Sequence, residues 1–173
     1  MLPFQVSRIV PVLMATLLLT PILIAQQAKD VPTTPAPVPV QIATAKKVFI
    51  SNFGIDSTSL AKVFEREGGQ LLPYNRFYAA MKDWGRFELV SSPAEADLIF
   101  EIRFRTPYQD TPQLEVAILD AKTHFTLWRI IEKVDAPMRI SKWGDNFEQG
   151  MNRLMDDLKK LAAPPASTAN AQK

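Results

Sequence analysis

Leu98 to Arg105 reads LIFEIRFR. Successive side chains of an extended chain point to opposite faces. Leu98, Phe100, Ile102 and Phe104 therefore share one face, and Glu101, Arg103 and Arg105 share the other. A strand with a charged face cannot lie in a sheet covered on both sides, because burying unpaired charge is too costly. The alternation predicts two layers, with helices on one face of a sheet and water or a partner on the other.

The flanking segments fit that plan. KVFISNF, Lys47 to Phe53, is a β-branched and aromatic run that ends at Gly54. LAKVFEREGG places Leu60, Val63 and Phe64 at helical spacing before Gly68 and Gly69 stop it. PYNRFYAAMKDWG puts Pro73 where a helix starts and Gly85 where one ends, with Tyr74, Phe77, Met81 and Trp84 on one helical face. Phe87 to Val90 is a short strand, and Ser92, Pro93 and Glu95 form a capping-box pattern, with Glu95 donating its amide to the Ser92 hydroxyl.

QLEVAILD alternates again, the turn DAKT follows, and HFTLWRIIEKV returns as the second arm of an antiparallel hairpin. Its alternation fails around Arg129 to Ile131, which predicts a bulge there. A closing helix capped by Asp145 carries Phe147, Met151, Leu154, Leu158 and Leu161 on one face. The expected fold is an α/β two-layer sandwich, a mixed sheet of about five strands with two main helices on one face.

The ends differ in character. Ile9 to Ala25 is an apolar run of about 17 residues after Arg8, broken by Pro11 and Pro21. A membrane span needs about 20, so residues 1–28 read as a cleavable export signal, with an uncleaved anchor as the alternative. Residues 29–45 carry Pro32, Pro35, Pro37 and Pro39 and are expected to form an extended spacer. Residues 46–161 form the single domain, and 162–173 a disordered tail. The expected location is periplasmic or secreted, with no stable membrane span after cleavage.

Charge and cysteine content exclude whole classes. The 20 Lys and Arg include Arg8, so a chain starting near Lys29 sets 19 basic against 18 acidic side chains. That balance gives no electrostatic footprint for nucleic acid. With no cysteine there is no disulfide, no thiol nucleophile and no cysteine-bound metal. His124 is the only histidine, which leaves no second imidazole for a metal site. Neither a G-x-S-x-G elbow nor a glycine-rich phosphate loop is present. Asp156 with Asp157, and Glu65 near Glu67, sit among basic residues as solvated helix charges. No catalytic residue, metal or cofactor is expected.

The order of elements resembles the amino-terminal domain of TolB-type translocation proteins and, more loosely, CsgG-type envelope domains. The matching features are a short opening strand, a helix ending in GRFEL (Gly85 to Leu89), and Ala96-Asp97 before a strand. A hairpin with D-x-K-T (Asp120 to Thr123) and a closing helix follow. The resemblance covers about Lys46 to Leu161, stops short of the TolB β-propeller, and finds no lipid-bearing cysteine. It implies a protein-binding or assembly module and transfers no catalytic residue.

The expected role is a non-enzymatic envelope module with an unidentified protein partner. Glu101, Arg103, Arg105 and Glu115 are the candidate partner-binding residues, read as exposed charges, and the Gly54 to Pro73 connection is a second candidate surface. A small-ligand or lipid-binding protein using Phe77, Met81 and Trp84 is one alternative. A hydrolase whose dispersed site leaves no motif is the other.

Overall fold

The computed structural model describes residues 36–107 and 110–163. The expected export signal, the first part of the spacer and most of the expected tail lie outside them. The sheet has five strands: β1 (Lys47–Ile55), β2 (Glu88–Val90), β3 (Leu98–Arg105), β4 (Gln113–Asp120) and β5 (Thr126–Lys133). Their spatial order is β2-β1-β3-β4-β5. β1 pairs in parallel with β2 and β3, and the remaining pairs are antiparallel. The sheet is mixed, as expected, because helical segments bridge the parallel pair and a tight turn joins β4 to β5.

Among the described residues four helices accompany it: α1 (Val40–Thr44), α2 (Thr58–Val63), α3 (Leu72–Trp84) and α4 (Trp143–Leu161). Leu98, Phe100, Ile102 and Phe104 of β3 are all 0 % exposed. Phe77 of α3 lies 6.3 Å from Phe100, and Phe147 of α4 lies 5.5 Å from Phe104, ring centre to ring centre. Both phenylalanines belong to one alternating row, so both long helices cover the same face. Each buried ring contributes roughly 1.5–3 kcal/mol of transfer free energy.

Local details depart from the sequence expectation at four places. The proline-rich segment is not extended throughout: Val40–Thr44 is helical, and Ile42 and Ala45 are buried in the core. Arg86 fixes this turn by donating to the carbonyls of Ala43 at 2.7 Å and Ala45 at 3.4 Å, the carbonyls a short helix leaves free. Proline density signals chain stiffness, but it does not stop Ile42 from finding an apolar slot.

The bulge falls elsewhere. Ile118 pairs with Trp128 and Leu119 with Thr126, which leaves Leu127 as the extra residue rather than one near Arg129. Ser92 does cap its turn, but its hydroxyl accepts from Ala94 at 3.3 Å instead of from Glu95. The turn over Pro93–Glu95 is a 3-10 turn, whose tighter winding brings the earlier amide within reach. Asp145 lies inside the first turn of α4 and accepts from Lys142 at 2.8 Å; the cap position belongs to Lys142 itself.

Two glycines are demanded by geometry. Gly54 has φ +67, and a Cβ there would stand 2.8 Å from Gln70 Oε1, the atom that accepts the Ile55 amide. Gly150 lets α4 approach the sheet, since its Cβ would lie 2.7 Å from Val134 Cγ2 and 3.3 Å from Leu114 Cδ1.

Candidate functional site: the open face of the sheet

Among the described residues no helix covers the sheet face opposite α3 and α4. Across it, register pairs Glu101 with Ala117 and Ala117 with Arg129. The next row pairs Arg103 with Glu115 and Glu115 with Ile131, and beyond it Arg105 faces Gln113. Paired residues share a face, so strand register alone gathers these side chains. Phe53 of β1 stands opposite Arg103 at the irregularity between Asn52 and Ile55, and is 56 % exposed.

The structure corrects one of the four expected site residues. Glu115, expected as an exposed charge, is 0 % exposed. Arg103 Nη2 donates to its Oε1 at 2.7 Å and Arg105 Nη1 to its Oε2 at 3.1 Å. Arg129 Nη1 also donates to Oε1. The long arginine stems lie over the shorter glutamate and shut it from water while their guanidinium groups remain partly solvated. Glu115 is thus a buried anchor, and Arg103, Arg105 and Arg129 form the surface.

Electrostatics follow from that arrangement. Burial opposes ionisation of Glu115, but the hydrogen bonds from Arg103 and Arg105 and the charges of Arg103 and Arg129 outweigh it and hold the carboxyl below its ordinary range. The Arg103 guanidinium is raised in turn, first by its bond to Glu115, against the effect of burial. Glu101, a partly exposed neighbour on β3, adds to the field that keeps Arg103 charged.

Arg129 was not among the expected site residues. The sequence signal existed in the DAKT turn, whose hairpin register brings β5 alongside Glu115. The irregularity near Leu127 hid it by shifting the parity of β5 against β4.

Other candidates resolve differently. Phe77 and Met81 are 0 % and 1 % exposed and are spent on packing; the cavity beside α3, about 260 Å³, is lined by Tyr74, Tyr78, Phe49 and Leu89 and not by Phe77, Met81 or Trp84. Trp84 meets Phe87 edge-on, with ring centres 5.4 Å apart. His124 is exposed in a left-handed turn with φ 58, just before β5 rather than within it. The Gly54 to Pro73 connection is occupied by α2 and two 3-10 turns, and its Phe64 is buried against Phe104, Trp143 and Phe147.

A groove of about 470 Å³ runs between β5 and α4, lined in part by Glu132, Asp157 and Lys160. Burial, and then a hydrogen bond with Asp157, push the Glu132 carboxyl up, while Lys160 pulls Asp157 down. Asp157 is therefore more than a solvated helix charge. Arg153 Nε donates to Glu132 at 3.3 Å and Lys160 to Asp157 at 2.8 Å, so both carboxyls already have cationic partners. Among the described residues no group of three or more potential metal ligands occurs. No described helix is long and apolar enough to cross a membrane.

No protein-family model matches the chain, and no curated protein matches it. Similar solved structures include a PelC variant dodecamer from Paraburkholderia phytofirmans, 14 % identical, with a TM-score of 0.47 over 72 % of this chain and 95 % of that one. An uncharacterized lipoprotein B from Nitrosomonas europaea is 11 % identical over 75 % of this chain and 90 % of its own, with a TM-score of 0.39. TolB from Acinetobacter baumannii is 15 % identical over 65 % of this chain but 29 % of its own, with a TM-score of 0.35. A TolB thus stands among the similar structures, at low identity and without a family match.

Proposed function

We propose that the protein is a non-enzymatic, exported binding or assembly module whose partner surface is the open face of the sheet. One observation carries this reading. Three arginines are held on a single carboxylate in the middle of a face that no helix among the described residues covers. A sheet face needing only solubility would scatter its charges and leave them free. Organised arginines beside exposed Phe53 and Ile131 have the composition of protein interfaces instead. Residues 1–28 have the charge and apolar pattern of a signal, which supports a periplasmic or secreted location.

Site-specific photocrosslinking in living cells tests the surface. A photoreactive side chain at Ile131, on the open face, is expected to give one reproducible envelope adduct, and the same group at Tyr78 on α3 none. Equal adducts from both positions, or none from either, would count against it. Amino-terminal sequencing of the protein from envelope and cytoplasmic fractions tests export: a start near Lys29 in the envelope is expected, and an intact Met1 start in a cytoplasmic pool would contradict the signal reading.

A further inference from the structure

We infer that the cluster of Arg103, Arg105 and Arg129 is a receptor for a carboxylate side chain, presented between apolar residues on a partner protein. This rests on the open face being the partner surface and adds the chemistry that surface recognises.

The cluster is built for an anion. Three guanidinium groups converge on one carboxylate, which leaves a surplus of two positive charges, still positive after Glu101 is counted. Like charges held this close repel one another, and a further anion relieves that repulsion. Each guanidinium has five N–H donors in a planar fork. One Nη of each is bound to Glu115, and the side chains remain 35 %, 38 % and 44 % exposed. Among the described residues the remaining donors of these forks have no side-chain partner, and a guanidinium can match a carboxylate with two parallel hydrogen bonds. Glu115 fixes the forks in advance, so less side-chain freedom is lost on binding.

The surroundings select a protein over a polyanion. Phe53 and Ile131 flank the charged row as exposed apolar side chains. Glu101 stands on the same face and repels an extended string of phosphates or sulfates. A single Asp or Glu among apolar neighbours matches charge to the arginines and hydrocarbon to Phe53 and Ile131.

The test titrates the full-length protein with a blocked peptide alternating valine and glutamate, a matched valine and glutamine peptide, and inorganic phosphate, following backbone amide shifts. The expected result is saturable binding of the glutamate peptide with shifts on β3, β4 and β5. The glutamine peptide should bind at least about tenfold more weakly, and Arg103→Gln/Arg129→Gln should lose a similar factor. If the double variant fails to fold, Arg129→Lys, which keeps the charge but loses the fork, should weaken binding about threefold. Equal affinity for both peptides, no binding, or full displacement by equimolar phosphate would overturn the assignment. An Ile131 adduct in cells with no peptide binding would leave the surface standing and remove only the carboxylate chemistry.

Discussion

Arg103 and Glu115 face each other across β3 and β4 with Nη2 and Oε1 2.7 Å apart, one side chain 35 % exposed and the other not at all. The pair joins a buried anchor to a solvated surface. Its worth to the fold and its worth to recognition can therefore be separated by changing one partner at a time.

Removing the anchor should damage the fold. Glu115→Ala leaves three arginines around an apolar hole and is expected to cost about 3 kcal/mol, at the lower end for a broken buried ion pair because water reaches the arginines. Arg103→Ala alone should cost less, since Arg105 and Arg129 still satisfy the carboxylate. Denaturant unfolding of both variants and their double measures the coupling. A Glu115→Ala variant as stable as wild type would show that the cluster contributes nothing to stability.

Acid should weaken the protein in a traceable way. The Glu115 pKa is depressed from an ordinary value of 4.5, so its stabilisation is present above that value and is lost as pH falls through the folded-state pKa. Asp97 has the same sign, because it accepts from the amides of Lys47 and Lys46. Glu132 has the opposite sign: its contribution is complete below the unfolded pKa and is lost as pH rises through the raised one. Unfolding midpoints taken from about pH 7 to about pH 3 should fall on acidification, with a shallower fall in Glu115→Gln. Parallel curves for the two proteins would refute the depressed carboxyl.

Gly150→Ala should lower stability by about 1–3 kcal/mol, although alanine is the better helix former. The added methyl meets Val134 and Leu114 where α4 lies on the sheet. Thermal unfolding checks this, and a stabilised variant would mean that the helix sits farther out.

The packed region should include the turn before β1. Ile42→Ala is expected to cost about 2–4 kcal/mol, a core-sized effect that a flexible spacer could not produce. Arg86→Ala should cost less while raising amide exchange across Val40–Thr44. Loss of stability within error of zero for Ile42→Ala would return this segment to the linker.

Much of this architecture is legible in the chain. LIFEIRFR shows its own two faces because alternation is local, and α3 and α4 announce themselves by apolar spacing and by Gly85. The state of Glu115 is not local. QLEVAILD places it on the charged face, but its burial depends on three arginines from two other strands, one of them brought in past an irregularity that alternation cannot count. Burial of Ile42 is not local either: proline density describes stiffness, whereas burial depends on a slot formed elsewhere.

Arginine footprinting tests the partner surface most directly. An arginine-selective dicarbonyl reagent applied to the purified protein should modify Arg103, Arg105 and Arg129 as well as Arg76 and Arg153, which have comparable exposure of 48 % and 47 %. Applied to intact cells, it should spare the three arginines of the open face and still modify Arg76 and Arg153. Equal modification of all five in cells would contradict a partner seated on that face.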